Sequence, residues 1–361
     1  MAAHQKALIR LIAVAVLMVF PPEGGSYVVR GSDVVRGGHL VRGSDLVRGS
    51  YLAAGSDTQT GPAAKRIISL VPAVTEMLYA IGAGPRLVGV SSYDTFPADV
   101  KRLPSVGALL DPNVERILSL KPDLVIAYGS QVDLKAQLAR AGIGVYDYRH
   151  AGLADVTATI RSLGERTGDA VRARAVADDI EQGLRAIRSR VQGRPRPRTL
   201  LIFGRERLSL RGLYASGGAG FLNDMLDVAG GTNVFASVAL QSVQASTEQI
   251  LSQRPEVILE IRAANSAFPS GDREAELNVW KALAAVPAVR ANRVHFLFDD
   301  RIVIPGPRVV EGTAAIARAL HPDAFAANEA ERARMRERSG GSLSEVPEGP
   351  HRIAAGAERQ R

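Results

Sequence analysis

Two glutamates in matched surroundings are the residues whose type and spacing most clearly indicate chemistry. Glu115 lies in DPNVERILSLKPDLVIA (111–127), and Glu248 lies in SVQASTEQILSQRPEVILEI (242–261), about 133 positions further on. In each passage an acidic residue near a predicted helix start is followed by Lys-Pro or Arg-Pro, which ends the helix, and then by an apolar strand. A carboxylate at a helix start is stabilised by the helix dipole and can pair with an external arginine. The passages therefore predict two related lobes, each with an exposed glutamate that binds a basic partner. The alternative is that the two glutamates are ordinary helix-capping acids.

Aromatic side chains near predicted strand ends are candidates for contact with a bound ligand. Tyr93 follows the strand LVGVS (87–91), and Tyr128 follows the strand LVIA (124–127). In open α/β sheets, ligands bind at the carboxyl ends of the strands. A tyrosine there can lay its apolar ring on a flat ligand and keep its hydroxyl in water. Packing against the protein itself is the alternative for both residues.

Charged side chains follow two strands of the predicted second lobe. Arg205, Arg207 and Arg211 come after TLLIFG, while Asp299 and Asp300 come after VHFLF. The arginines could pair with carboxylates of a ligand, or they could simply be solvated. The aspartates could accept hydrogen bonds from amide groups of a ligand, or they could pair with those arginines.

Motifs of enzymes and metal centres are missing from the sequence. The stretches GGAG (217–220) and AGG (229–231) match neither the dinucleotide-binding nor the phosphate-binding glycine pattern. There is no GxSxG motif, the six histidines are scattered, and the absence of cysteine excludes disulfides and thiolate metal sites. We predict no catalytic residues, no metal site and no resident cofactor.

The elements that must position the candidate residues form an α/β pattern. Apolar strands alternate with helical segments from residue 66 to about 322, and the long helical stretch 153–192 divides them. The pattern predicts two Rossmann-like lobes joined by one long backbone helix. The predicted boundaries are 66–165 for the first lobe, 166–195 for the backbone helix and 196–322 for the second lobe.

The two ends of the chain differ in composition from this centre. Residues 1–25 contain an apolar run, 11–20, after Lys6 and Arg10, which predicts an export signal or an uncleaved membrane anchor. Residues 26–65 hold a six-residue repeat rich in glycine and serine, and they read as an irregular, low-complexity linker. Residues 323–361 are rich in Arg, Glu, Gly and Ser and predict a disordered, solvated tail.

The net charge does not indicate a nucleic-acid partner. The formal charge is +8, but much of the excess lies in the N-terminal repeat and in clusters within residues 185–211. No recognition helix or RNA-binding strand pattern accompanies it. The apolar content of 46% is ample for two cores.

Three passages resemble a known family. They are IISLVPAVTEMLYAIGAGPRLVGVSSYDTFP (67–97), LPSVGALLDPNVERILSLKPDLVIA (103–127) and FLNDMLDVAGGTNVF (221–235). They are similar to the helical-backbone substrate-binding proteins of ABC importers, also called class III periplasmic binding proteins, and within them most to vitamin B12 binders. The resemblance covers residues 66–322. It implies capture of a corrinoid in the cleft between the lobes, with haem or a ferric siderophore as the alternative, and with a non-transporting sensor or scaffold as the alternative of another class.

The resemblance also implies roles for individual residues. Glu115 and Glu248 match the two glutamates that dock on permease arginines, and Tyr93 and Tyr128 match aromatic positions that flank the ligand. Other expected ligand contacts are Leu109, Arg205, Arg207, Asp300 and Arg301, of which Leu109 and Arg301 stand where tryptophans are usual. The implied partners are a membrane permease with its ATPase and a small metal-chelate ligand. The implied state is a monomer in the periplasm or otherwise outside the cytoplasmic membrane.

Overall fold

A computed structural model describes residues 33–36, 39–42, 63–149, 151–264 and 272–326. The predicted signal or anchor lies outside these residues, as do most of the linker and most of the tail. Within the linker, strands β1 (Asp33–Arg36) and β2 (His39–Arg42) pair antiparallel, which corrects the irregular chain that the glycine content predicts. The sequences Val-Val-Arg and Leu-Val-Arg favour extended backbone because of their β-branched residues.

The first lobe is a parallel sheet with short helices between its strands. Pro72 begins the first helix, where its missing N–H is not needed, and Asn113 caps the second by accepting a bond from the backbone N–H of Arg116. The strands are β3 (Ile67–Ser69), β4 (Leu87–Val90), β5 (Leu124–Tyr128) and β6 (Gly144–Tyr148), in the sheet order β4-β3-β5-β6. The helices are α1 (Pro72–Ala80), α2 (Val114–Ser119) and α3 (Val132–Arg140).

Two packed helices, rather than one, lie in sequence between the two sheets. Helix α4 (Leu153–Thr167) ends at Gly168, whose φ of 77° lies in the left-handed region that favours glycine. Helix α5 (Ala170–Val191) follows and has 22 residues, which corresponds to a length of about 33 Å. The long helix of residues 166–195 is therefore observed over 170–191, with α4 packed along it.

The second lobe contains a mixed six-stranded sheet. Its parallel part is the direct counterpart of the first sheet, and its other strands are short. The strands are β7 (Arg198–Gly204), β8 (Leu213–Ser216), β9 (Thr232–Asn233), β10 (Ser242–Ala245), β11 (Val257–Arg262) and β12 (Val294–Phe298). Their order is β10-β8-β7-β11-β12, with β9 beside β7, and β8 runs antiparallel to both β7 and β10.

One helical segment of the second lobe changes type along its length. The chain is α-helical over Asp272–Asn278 and then tightens into a 3₁₀ turn over Val279–Leu283. Trp280 and Leu283 are buried there, so the core fixes the turn. The helices are α6 (Phe221–Val228), α7 (Thr247–Gln253), α8 (Asp272–Asn278), α9 (Pro287–Arg290), α10 (Asp300–Val303) and α11 (Val309–Leu320).

The largest apolar cluster is shared by the two halves of the chain. It contains Met77 of α1, Ile160 of α4, Ile180 of α5, Met225 of α6 and Ile316 of α11, all of them buried. The helices between the sheets therefore pack on both lobes, so that apolar burial stabilises their mutual arrangement.

The described part of the chain extends beyond the predicted start of the tail at residue 323. Phe325 is buried in the same apolar cluster, and the guanidinium carbon of Arg190 lies 5.1 Å from the centre of its ring. The apolar and cation–π contacts hold this residue against α5. The predicted solvated character therefore does not hold for Phe325, and residues 327–361 lie outside the described part.

Candidate ligand cleft and docking helices

The loop after β4 meets a segment of the second half of the chain. The ring of Phe96 lies under Arg308, whose guanidinium carbon is 4.0 Å from the ring centre. Arg308 immediately precedes α11 and reaches Glu76 on α1, where its Nε donates to Oε2 at 2.8 Å. Residues 232 positions apart in sequence thus meet beside the carboxyl ends of the first sheet's strands, where ligands bind in such folds.

Glu76 is a buried carboxylate at this junction. Burial raises its pKa, while the hydrogen bonds and the charge of Arg308 offset part of that effect. The second Arg308 nitrogen also bonds Glu76, so the pair is bidentate. The charge of Arg308 is therefore largely used within the protein and is not open to a ligand anion.

Asp94, next to Tyr93, is the least satisfied charged group in this region. Both carboxylate oxygens are buried, and neither has a hydrogen bond of normal geometry among the described residues. Burial raises the pKa of Asp94 to about 7, and the Thr75 hydroxyl and the Ser91 backbone offset only part of that rise. Its carboxyl group is therefore a strong unused hydrogen-bonding site.

The two predicted tyrosines occupy different environments. Tyr93 is half-buried in the loop after β4, and its backbone N–H donates to the hydroxyl of Ser91. Tyr128, which ends β5, is only 8% exposed and packs edge-to-face on Tyr148 at 5.9 Å between ring centres. Burial raises the pKa of Tyr128 well above its ordinary value. The expectation that the hydroxyl stays in water is therefore wrong for Tyr128, because its ring is part of the largest apolar cluster.

The prediction that Arg205 contacts a ligand is contradicted by its burial. Its side chain is 0% exposed and forms ion pairs with Glu260 at 2.9 Å and with Glu276 at 2.7 Å. Glu260 also accepts hydrogen bonds from Trp280 and Arg262. An unpaired charge in the interior is costly, so the network consumes the guanidinium that the sequence assigns to a ligand.

The other predicted contacts lie near the surface and already have partners. Arg207 pairs with Asp272 and lies 3.5 Å from Glu276, while Arg301 pairs with Asp299 at 2.8 Å. Asp300 accepts a hydrogen bond from the backbone of Ala264. Leu109 packs against the largest apolar cluster, and its carbonyl accepts a hydrogen bond from the side chain of Gln131. Arg211 is exposed.

The two matched passages fold into the same unit. Asn113 caps α2 and Ser246 caps α7, so Glu115 and Glu248 are each the second helical residue, and both are exposed. Hydrogen bonds from its own backbone N–H, and then from the Ser246 and Thr247 hydroxyls, lower the pKa of Glu248. Neither carboxylate caps its helix from the N-cap position. The two glutamates therefore remain available to a partner.

Several residues of this site carry no visible signal in the sequence. Glu76, Asp94 and Arg308 belong to no motif, and Glu76 and Arg308 meet only because the lobes pack together. The adjacency of Tyr93 and Asp94 is the one clue, since a charged residue beside a candidate aromatic contact favours a binding loop. Among the described residues, no group of three or more His, Cys, Asp or Glu side chains is placed to hold a metal ion.

Two α/β lobes with parallel strands, packed through helices, define the class III binding-protein fold. A family model described as periplasmic binding protein matches residues 67–300, and the chain belongs to this family. It is 32% identical over 267 residues to the uncharacterized ABC transporter substrate-binding lipoprotein YvrC of Bacillus subtilis (strain 168), which covers 72% of this chain and 81% of that protein. The family's activity is solute binding for ABC importers, not catalysis.

Two similar solved structures are of proteins named for different ligands. The vitamin B12-binding protein BtuF of Vibrio cholerae has 29% identity and a TM-score of 0.60, covering 71% of this chain and 96% of that one. The haem-binding protein RhuT of Roseiflexus sp. RS-1, in apo form, has 26% identity and a TM-score of 0.60, covering 73% and 100%. No helix in the described residues has the length and apolar character needed to span a bilayer.

Proposed function

We propose that this protein captures a corrinoid in the cleft beside Tyr93 and Asp94 and delivers it to a membrane permease. The observation that carries the ligand assignment is which of the candidate charged side chains already have partners within the protein. Arg308, Arg301, Arg207 and Arg205 are already paired with carboxylates, whereas Asp94 is buried with both oxygens unbonded.

This pattern is better suited to a ligand with hydrogen-bond donors than to a ligand with anionic groups. A corrinoid carries neutral amide side chains, whose N–H groups can bond a carboxylate. Haem carries two carboxylates, and binding them would require breaking one of the existing arginine pairs or leaving them unpaired. Because an unpaired charge in a desolvated site is expensive, the amide-bearing ligand fits with less rearrangement.

Tyr93 supports the same choice of a flat ligand. Tyr93 is half-buried and belongs to the same loop as Phe96, whose ring packs on Arg308 of the second half of the chain. An aromatic face covers a planar macrocycle and adds contact area at little cost in side-chain entropy. Because leucine at 109 and arginine at 301 stand in place of tryptophans, Tyr93 is the main aromatic contact that the proposal assigns to the ligand.

Delivery to the permease is assigned to Glu115 and Glu248. Both are exposed at the same position of matched helices, so two permease arginines are their natural partners. The protein then acts as a monomer outside the cytoplasmic membrane, held at the membrane surface through the permease and its ATPase.

Calorimetric titration of the purified full chain with cyanocobalamin and with hemin tests the ligand. We expect saturable one-to-one binding of cyanocobalamin and no saturable binding of hemin. A haem-binding function is the second candidate, because the haem-binding relative matches the fold as well as the B12-binding relative does. Saturable hemin binding without cyanocobalamin binding would replace the corrinoid with haem.

A further inference from the structure

The matched helices share more than their glutamates. Residues 115–122 read ERILSLKP and residues 248–255 read EQILSQRP, so Glu, Ile, Leu, Ser and Pro recur at the same positions. Three of these five have a visible role inside the protein. The two isoleucines, Ile117 and Ile250, are fully buried.

The serines and prolines are explained as well. The hydroxyls of Ser119 and Ser252 donate to the carbonyls of Arg116 and Gln249, at 2.8 and 2.9 Å. Each proline ends its helix and starts the following strand. This leaves the leucine of each unit without a role in the fold, while the glutamate has only the local role of an acid at a helix start.

The leucines have nearly the same exposure in both units. Leu118 is 41% exposed and Leu251 is 40% exposed. Single exposed leucines are common and carry no message by themselves. Here the leucine recurs at one position of two helices, although the exposed residues Arg116 and Gln249, two positions before it, differ.

Each leucine lies on the same side of its helix as the glutamate. Residues three apart are neighbours on an α-helix, so Leu118 lies beside Glu115 and Leu251 lies beside Glu248. Each helix therefore presents one acidic and one apolar side chain together. A partner that fits both helices carries two similar sites, each with a basic side chain next to an apolar surface.

We propose that Leu118 and Leu251 form, with Glu115 and Glu248, a two-part docking surface for the permease. The carboxylates pair with the partner's arginines. The leucines supply apolar surface from which water is released on binding. The inference rests on the proposed function, because it takes the permease as the occupant. Charge complementarity to the two glutamates favours that occupant over a second copy of this chain, whose matching surface would be acidic too.

The test uses the permease–ATPase complex that supports uptake with this protein in the host cell. The complex is reconstituted in lipid nanodiscs, and binding of the full chain to it is measured. Leu118→Ser and Leu251→Ser should each weaken binding about fivefold to tenfold, and the double change should weaken it more. Leu118→Met with Leu251→Met keeps the apolar area and should bind within about twofold of the wild type. Val171→Ser, on an 82% exposed side chain of α5, is the matched control and should have no effect.

Salt dependence separates the two halves of the surface. The loss caused by Leu→Ser should be the same at low and high salt, whereas the loss caused by Glu→Gln should shrink as salt rises. If wild-type protein binds and the Glu→Gln variants weaken it, but the double Leu→Ser variant binds normally, this inference fails while the proposed function stands. If wild-type protein does not bind the complex, both fail. Dimerisation of the wild-type chain that Leu118→Ser abolishes would also overturn the inference.

Discussion

Lys121 and Arg254 have the same unusual backbone, with φ of 48° in each, at the end of two helices 133 positions apart. A residue with a side chain is strained in this left-handed region, at about 1–2 kcal/mol, so its presence twice is structural rather than accidental. At both places an arginine from the start of a parallel strand satisfies the last carbonyls of the helix. Arg66 donates to Leu120 and Lys121, and Arg198 donates to Gln253. Helices α2 and α7, the candidate docking helices, are thus anchored to their sheets in the same way.

Tyr93→Ala is expected to weaken cyanocobalamin binding by about 1–3 kcal/mol, because a large aromatic contact is lost. The melting temperature should not change, since the ring lies in a loop and is half-buried. Titration calorimetry and thermal unfolding measure the two effects. Tyr214→Ala, which removes a tyrosine 40% exposed on β8, is the control and should leave the affinity unchanged. A lower melting temperature with normal affinity would make Tyr93 a packing residue.

Asp94→Asn is expected to change how stability depends on pH. Because burial raises the native pKa of Asp94 to about 7 from an ordinary 3.8, the native state binds the extra proton between those values. Its contribution to the free energy of unfolding is full below pH 4 and is lost as the pH rises through 7. Glu76 and Arg308 face the same region, so only the difference between wild type and variant isolates Asp94.

Thermal unfolding at pH 5 and pH 8, without ligand, measures that difference. Asp94→Asn should raise the melting temperature at pH 8 relative to wild type and should have a smaller effect at pH 5. An equal shift at both pH values would show that Asp94 does not titrate in this interval.

Arg205→Met is expected to lower the free energy of unfolding by about 3–5 kcal/mol, because Glu260 and Glu276 would remain buried without their cation. Arg207→Met makes the same chemical change on a side chain that is 40% exposed, and it should cost about 1 kcal/mol or less. Denaturant unfolding compares the two variants. Similar small losses, combined with a large loss of cyanocobalamin affinity in Arg205→Met alone, would restore Arg205 as a ligand contact.

The sequence predicts those parts of the fold that local chemistry decides. Strand β12 is found over Val294–Phe298 as its apolar run predicts, and both docking helices end at Lys-Pro and Arg-Pro. Local patterns also predict the exposed positions of Glu115 and Glu248. The short strands β8 and β10 were not predictable, because four residues carry too little periodicity and their antiparallel pairing is set by the rest of the sheet.

The cleft was only partly predictable for a related reason. An arginine after a strand reads the same whether it contacts a ligand or a buried glutamate, and Glu260 and Glu276, 55 and 71 positions away, decide the matter for Arg205. The pairing of Glu76 with Arg308 likewise depends on how the two lobes pack. A tyrosine at a strand end can either contact a ligand or pack within the protein. For Tyr128 only the contact with Tyr148 distinguishes the two roles.

The most direct test of the account is uptake of labelled cyanocobalamin by cells that carry the permease and ATPase together with Glu115→Lys and Glu248→Lys in this protein. The control is Asp179→Lys with Asp323→Lys, an equal change of charge at two exposed acids on other helical segments. The account predicts loss of uptake in the double glutamate variant, a smaller loss in each single variant and normal uptake in the control. Cyanocobalamin affinity should be unchanged throughout, because the docking helices are not part of the cleft. Normal uptake with both glutamates reversed would contradict the delivery of ligand through these two helices.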